Sequence, residues 1–392
     1  MKHLVIVGKY YWPEFGGVER YTRDLAQIAA KTHRVTVVVH GRRRNDSIEK
    51  DGDITVIRCG TIKVISSQPV SPSMLMHLRS LRPDLVHFNA PNFWGAAMLA
   101  LSGCRAPLII THHADVFGRP VLKRAVMPIY RHLARRAACV VVNSLRNVEI
   151  SKDLPVKACR FVEIPWAVNG RNYDLDDAER AALLAERRQR YGDVPIVGFV
   201  GRFVRYKALP VLIDALTRLD KAHALLIGDG PMRSRVEELA RMAGIADRVH
   251  LLGNLDERSK IRVLAMMDVL TLPSNDTTEA FGLAQVEAQM MKLPVVATRL
   301  PTGVMDVTVD ETTGLLVPPN DPQALADALA RLIADKALAA RLGGAGRDRA
   351  LQYFSMTAFE ERWSRLISAV MAERPFAELL VPVFSPSGPF RG

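Results

Sequence analysis

The stretch "TEAFGLAQVEA" (278–288) sets two carboxylates, Glu279 and Glu287, around a phenylalanine, a glycine and an apolar run. The helix formers in "FGLAQVEAQMM" predict that Glu279 lies just before a helix and Glu287 about two turns into it, roughly 12 Å away along the axis. One carboxylate can then grip the far end of a ligand whose phosphates rest on the helix N-terminus between the two. An ordinary surface helix with two solvated glutamates has the same spacing. In "GRFVRYKAL" (201–209), Arg202 and Lys207 follow an apolar run, and two such cations suit a diphosphate, the guanidinium by bidentate hydrogen bonds and the ammonium as a point charge. Solvated surface cations are the alternative there. In "YYWPEFGGVERYTRDLAQIAA" (10–30), Gly16 and Gly17 precede a helical pattern. Glycines at that point let backbone approach a ligand, and the helix start behind them presents free N–H groups to an anion. A plain strand-to-helix turn reads the same way.

These groups need elements to hold them, and short β-branched runs alternating with helical patterns supply an α/β architecture. The first half carries strand-like runs at 3–8, 34–40, 53–59, 84–89, 107–113, 139–144 and 160–166, and the second half at 195–201, 223–230, 248–254, 268–274, 293–298 and 314–319. Their near-continuous Val and Ile content suits parallel strands buried on both faces. Two doubly wound, Rossmann-like domains are expected, facing each other across a cleft, with ligand groups just beyond the carboxyl ends of strands. The expected division is a domain over 1–168, a charged linker over 169–194, a second domain over 195–352, and a helix over 353–372 that packs back on the first domain. The Pro- and Gly-rich segment 373–392 is expected to be a poorly ordered tail.

The chain has 392 residues, 48% of them apolar and 24% charged, enough for about two domains with sizeable cores. Cys59, Cys104, Cys139 and Cys159 are scattered, which predicts free thiols in a reducing cytosol and no disulfide. The N-terminal apolar run is too short for a signal segment, and no window has the length of a spanning helix, so the expectation is a protein neither exported nor transmembrane. A net charge of +12 calls for an anionic partner. From Val116 to Val148 there is no Asp or Glu, while Arg119, Lys123, Arg124, Arg131, Arg135, Arg136 and Arg146 fall inside, interleaved with Leu122, Val126, Ile129, Tyr130 and Leu133. That interleaving predicts a helix, kinked at Pro128, docking on an anionic membrane surface; a basic solvated helix is the alternative. A nucleic-acid partner is not expected, because no recognition motif or stacking platform accompanies the charge.

Taken together, "GGVE", the "GR" with its later lysine, "LLIGDGP" (225–231), "PSNDTTEAFGLAQVEAQMMKLPVVAT" and "TGLLVPPNDPQALADAL" resemble the GT-B, retaining, E-x7-E glycosyltransferases that use nucleotide sugars. The resemblance spans both halves in the family's order. It departs at Ala208, where the family usually has Gly after the lysine, and at Lys292-Leu293-Pro294, where the family has Gly-x-Pro. The resemblance implies that the first domain serves the acceptor and the second binds the donor. Glu287 would hold the donor ribose and Glu279 the hydroxyls of the donor sugar. Arg202 and Lys207 would neutralise the diphosphate, helped by backbone N–H groups at Gly282 and Leu283, with Phe281 beside them. Gly16 and Gly17 would close on the phosphates or acceptor. His112 in "ITHHADV" matches the family's histidine near the donor sugar, with His113 as its rival.

The implied chemistry is departure of a nucleoside diphosphate, with fixed cations and a helix dipole stabilising the charge that develops. No cofactor or metal is expected, and the strings Asp51-Gly52-Asp53 and Asp174-Leu175-Asp176 read as solvated. The family pattern marks no nucleophile, so the resemblance favours front-face attack with retention. It is greatest to mannosyl- and rhamnosyltransferases, implying a GDP-linked donor and a glycan or lipid-linked acceptor in bacterial polysaccharide synthesis, on the cytoplasmic face of the inner membrane. Nucleotide-sugar 2-epimerases of the same fold, and a nucleotide-sugar-binding protein that has lost transfer, are the alternatives.

Overall fold

Each apolar run expected as a strand is one in the computed structural model, which describes residues 1–14, 16–65, 68–115, 120–374 and 383–384. The strands are β1 (His3–Val7), β2 (Arg34–His40), β3 (Ser47–Asp51), β4 (Ile54–Cys59), β5 (Lys63–Ile65), β6 (Gln68–Val70), β7 (Leu85–Ala90), β8 (Leu108–His112), β9 (Cys139–Val142) and β10 (Phe161–Glu163). They continue with β11 (Ile196–Val200), β12 (His223–Ile227), β13 (Val249–Gly253), β14 (Val269–Leu272), β15 (Val295–Thr298) and β16 (Leu315–Val317). Three were not anticipated. β3 is polar and largely exposed and pairs antiparallel with β4, while β5 and β6 form a separate two-stranded ribbon. None of the three has the apolar content that marks a buried parallel strand.

The chain divides into two compact units, 1–166 with 359 onward, and 167–358. In the first, the sheet order is β10-β9-β8-β7-β1-β2-β4-β3. Val5, Phe88, Ile110 and Val140 form its core with Leu133 of the helix Pro120–Arg136. In the second, the order β13-β12-β11-β14-β15-β16 is that of a six-stranded Rossmann sheet, every pairing parallel. Phe199, Phe203, Leu212, Leu226 and Leu329 fill one side of it.

Residues 169–194, expected as a linker, belong to the second unit and carry the helix Asp177–Tyr191, which Asp176 caps by accepting from the Glu179 N–H at 2.7 Å. The return to the first unit comes at Phe359 rather than 353, inside the helix Met356–Met371. There Phe359 and Trp363 are buried, with Trp363 5.2 Å from the His87 ring and 6.3 Å from Tyr21. Of the segment expected as a tail, 375–382 and 385–392 lie outside the described residues. The Val383 and Phe384 N–H groups donate to Glu163 Oε2 at 2.9 and 3.2 Å.

The two Asp-x-Asp strings are not simply solvated. Asp51 accepts from the Tyr11 hydroxyl at 2.9 Å and from Arg23 Nε at 3.0 Å, and Gly52, at φ +61°, makes the turn into β4. Asp174 is ion-paired with Arg347.

Burial lowers the pKa of His87 and His113 to about 3 and of His40 to about 4, all in the first unit. The unfolded chain takes up these protons below pH 6.5 while the folded unit refuses them until pH 4 or lower. Stability is therefore full above pH 6.5 and falls as pH drops, by about 2 kcal/mol per histidine at pH 5. All four tryptophans (12, 94, 166 and 363) lie in this unit, so their fluorescence reports its unfolding. The urea midpoint by fluorescence should fall clearly between pH 7 and pH 5; an unchanged midpoint would contradict the neutral burial of these rings.

Candidate active site

In a sheet of this order the crevice for ligands opens where the strand sequence reverses, between β11 and β14. The loops beyond these two strands carry Arg202, Lys207, Ser274 and Glu279. After β11 the chain buries Phe203, leaves Arg202 exposed, and makes a tight turn over Arg205–Lys207. The "LLIGDGP" stretch supports that loop from below. A Cβ on Gly228 would lie 2.0 Å from the Gly201 carbonyl oxygen, and one on Gly230 would lie 2.5 Å from that of Phe203.

Lys207 is not one of the solvated surface cations that the sequence left open. Instead it is buried, with Nζ 2.5 Å from Glu279 Oε2, and the Ser274 hydroxyl donates to the same oxygen at 2.7 Å. Ser274 is itself held by the Thr298 hydroxyl, which donates to its carbonyl. The Asn275 N–H donates to the Tyr206 carbonyl at 2.9 Å, joining the two loops. Burial and the neighbouring Glu279 charge push the Tyr206 phenol up to about 12.

Beyond Glu279 the chain turns through Gly282, at φ +72° and ψ +64°, into the helix Leu283–Met290, whose start has no side-chain cap. Its first N–H groups therefore have no side-chain acceptor at the N-cap, and the Gln285 N–H donates to the Gly282 carbonyl at 2.9 Å. Glu287 lies little more than one turn into this helix, not two, and residues 279–282 are not helical, so a rise of about 1.5 Å per residue does not apply between the two glutamates. It is buried rather than on a solvated face, with Oε1 2.5 Å from Lys260 Nζ on the helix Glu257–Leu264. Each glutamate thus has one oxygen on a lysine, and the other, Glu279 Oε1 or Glu287 Oε2, has no partner among the described residues. Phe281 is a packing ring, buried 5.6 Å from Phe354 in an edge contact.

Sequence reasoning missed Lys260, because its contact joins two helices across 27 residues and leaves no local pattern. Ser274 was legible as a strand end, but its bond to Glu279 was not.

Gly16 and Gly17 open the helix Gly17–Ala30, which also has no side-chain cap. A Cβ on Gly17 would lie 2.8 Å from the Trp166 ring, and one on Gly16 would strike the Glu19 carboxyl, whose pKa burial raises. The end of β8 places both histidines. His112 Nδ1 is 2.8 Å from the Tyr130 hydroxyl and Nε2 is 3.0 Å from Asp115 Oδ1. Burial raises the Asp115 pKa, but hydrogen bonds from His112, Ser151 and the Lys152 N–H outweigh it and hold the carboxyl below its usual value. His113 is enclosed by Tyr21 and Trp166, with ring centroids at 4.7 and 5.4 Å, and its Nε2 is 3.0 Å from Asn89 Oδ1.

The basic helix turns part of its apolar side inward. Pro128 does not interrupt Pro120–Arg136, and Met127, Tyr130, Leu133 and Ala134 are spent in the core of the first unit. Lys123 pairs with the buried Asp153 at 2.5 Å. Arg131 donates to the carbonyls of Asp153 and Lys152, and Arg136 to that of Cys104. Arg124 and Arg135 are exposed, and Arg119 lies outside the described residues.

The two departures from the family pattern share a physical cause. Ala208 sits at φ +49° and Lys292 at φ +59°, both left-handed, where a side chain costs roughly 1 kcal/mol that glycine does not incur. Ala208→Gly and Lys292→Gly should each raise the urea-unfolding free energy of the second unit by up to about 1 kcal/mol; a loss of stability in both would show that the strain is absent.

Residues 183–349 match the family described as glycosyl transferases group 1, and residues 15–170 match glycosyltransferase family 4. The O-antigen chain mannosyltransferase C of Escherichia coli is 25% identical over 378 residues, covering 95% of this chain and 100% of that protein. The GDP-mannose-dependent alpha-(1-6)-phosphatidylinositol monomannoside mannosyltransferase of Mycobacterium tuberculosis is 25% identical over 370 residues, 89% of this chain and 93% of that one. Among solved structures, sucrose-phosphate synthase from Thermosynechococcus elongatus matches with a TM-score of 0.78 at 23% identity, over 95% of this chain and 100% of that one, and so shares its fold. With its two family domains in order, 15–170 and then 183–349, and a Rossmann sheet whose reversal point carries buried Lys and Glu groups, the chain is a group 1 glycosyltransferase of GT-B fold.

Proposed function

We propose that the protein transfers a hexose of the mannose or rhamnose type from a GDP-linked donor to a membrane-associated or lipid-linked glycan, with retention of anomeric configuration and without a bound metal. The observation that carries this reading is the pair of buried Lys–Glu contacts, Lys207 with Glu279 and Lys260 with Glu287, at either end of one uncapped helix start. The acceptor and donor assignments draw support from the names of the relatives, an O-antigen chain mannosyltransferase and a GDP-mannose-dependent enzyme acting on a phosphatidylinositol mannoside.

In this mechanism the diphosphate meets the helix start at Gly282 and Leu283, with Arg202 and Lys207 as countercharges. As the glycosidic bond breaks, negative charge grows on the leaving phosphate, and these fixed groups stabilise the transition state more than the ground state. The free Glu287 oxygen accepts from the ribose and the free Glu279 oxygen from the sugar hydroxyls. The acceptor attacks from the face the diphosphate leaves, and the departing phosphate takes the acceptor's proton.

Glu287→Gln should weaken nucleoside-diphosphate binding about tenfold, since a hydrogen bond to a charged acceptor contributes roughly 1.5 kcal/mol or more. Calorimetric titration with GDP checks it, and unchanged affinity removes the ribose role. Lys207→Ala should lower kcat by roughly a hundredfold or more while donor affinity changes much less, because the charge it meets grows during the reaction. It also leaves Glu279 without its lysine, so a thermal melt must accompany the kinetics. Equal losses in turnover and binding in a folded variant would reduce Lys207 to a binding group.

A further inference from the structure

Met127, Tyr130, Leu133 and Ala134 of the basic helix are in the core, so exposed aliphatic groups beside free cations are to be looked for elsewhere on the first unit. Among the described residues, exposed aliphatic side chains cluster at the β5–β6 ribbon, where Ile62, Val64 and Ile65 are 57%, 54% and 49% exposed. In the ribbon, Val64 pairs with Pro69 and Ile65 with Gln68, while Gln68 and Pro69 are themselves buried. The aliphatic strand is therefore the outer one, and it presents side chains from both of its faces.

Cations sit directly beside it. Lys63 is exposed within the same strand, and the Thr61 N–H donates to the Arg43 carbonyl at 2.8 Å, laying the segment after β2 alongside the start of the ribbon. Gly60 makes this approach possible, since a Cβ there would lie 1.9 Å from the Arg44 carbonyl oxygen. Arg43, Arg44 and Lys63 are exposed and make no ion pair among the described residues, whereas Arg42 is paired with Glu14. Of the nearby acids, Asp46 is engaged by the Gly60 N–H, the Ser73 hydroxyl and the His77 ring at 2.6 to 2.7 Å, and Glu49, whose charge also reaches Arg43, is paired with Arg58 at 3.0 Å. The patch is thus aliphatic at its tip and cationic at its base.

Its place in the sheet gives it meaning. β2 and β4 run parallel and finish side by side at His40 and Cys59, so the arginine segment and the ribbon both leave the carboxyl end of the first sheet. Gly16 and Gly17 follow β1 at that same end, the end where ligands of parallel sheets bind.

We propose that Ile62, Val64 and Ile65, backed by Arg43, Arg44 and Lys63, form the surface by which this protein docks on an anionic lipid bilayer, bringing the carboxyl end of its first sheet to the membrane. Aliphatic insertion and cation attraction are each weak alone, and together they meet the two-signal requirement for stable but reversible attachment. Aliphatic side chains offer no stacking platform, which removes nucleic acid as the occupant. The proposal rests on the transferase reading only for its purpose, access to a membrane-associated acceptor; the docking itself does not depend on catalysis.

The test is flotation of the full chain with vesicles of phosphatidylcholine alone and of an equal mixture with phosphatidylglycerol. Wild type should float with the mixed vesicles and stay behind with the neutral ones, and added salt should reduce flotation steeply. The triple variant Arg43→Gln, Arg44→Gln, Lys63→Gln should lose roughly a hundredfold in partitioning. Ile62→Ser, Val64→Ser, Ile65→Ser should lose about tenfold or more, even at low salt. Arg124→Gln with Arg135→Gln, on the basic helix, should float as wild type does. Wild type that does not float, ribbon variants that float unchanged, or loss of flotation in the helix variant would each overturn the proposal. So would a wild-type dimer in light scattering that the aliphatic variant dissociates, since the patch would then serve a second copy. GDP titration of the same proteins is read separately, and absent nucleotide binding with intact flotation would sink the transferase reading and not the docking surface.

Discussion

A carboxylate taken out of water must find a countercharge and hydrogen-bond donors, or it will not stay ionised in place. Glu279 meets that demand with Lys207 and Ser274, and much of the second unit serves to bring these three together. They stand on loops that follow β11 and β14, strands adjacent in space but separated in sequence by the whole β12–β13 excursion. Only a sheet that reverses its strand order between them makes the two loops neighbours. The ion pair is therefore a consequence of topology, and the same reversal opens a crevice for a ligand.

Close backbone approach is the second demand at this site. The loop after β11 rests on the loop after β12 at distances that exclude a side chain, and Gly228 and Gly230 satisfy it. Where left-handed backbone is needed without glycine, at Ala208 and Lys292, the chain retains local strain within a well-packed surround. Ala208 leads directly out of the turn that carries Lys207, so the strain sits beside the group that meets charge.

The first unit solves a different problem. Its sheet carries His87 within β7 and His113 just after β8, kept neutral by burial among Tyr21, Trp166 and Trp363, and the helix that brings Trp363 comes from the last part of the chain. Packing on this side and charge pairing on the other give the two units distinct sensitivities: the first to protons, the second to loss of a single charged partner. The surface follows the same economy. Met127, Tyr130, Leu133 and Ala134 of the basic helix go into the core, and Lys123, Arg131 and Arg136 serve there as an ion-pair partner or as carbonyl donors, whereas the ribbon turns Ile62, Val64 and Ile65 to solvent.

How much of this was legible in the sequence depends on the range of the interaction. Continuous Val and Ile runs marked thirteen of the sixteen strands among the described residues because burial on both faces demands apolar side chains. The polar edge strand β3 and the short ribbon escaped because solvent makes no such demand. Glu279, Glu287, Arg202 and Lys207 could be named from their types and their places after strands. The sequence could not show that Lys207 would pair with Glu279, that Lys260 would reach Glu287, or that Phe281 would turn inward. Nor could it tell a membrane-facing stripe at Val126, Tyr130 and Leu133 from a core-facing one, since both have the same period. Local propensity and hydrophobic pattern are written into neighbouring residues; charge partners and the side of a helix that is covered are decided only when distant segments pack.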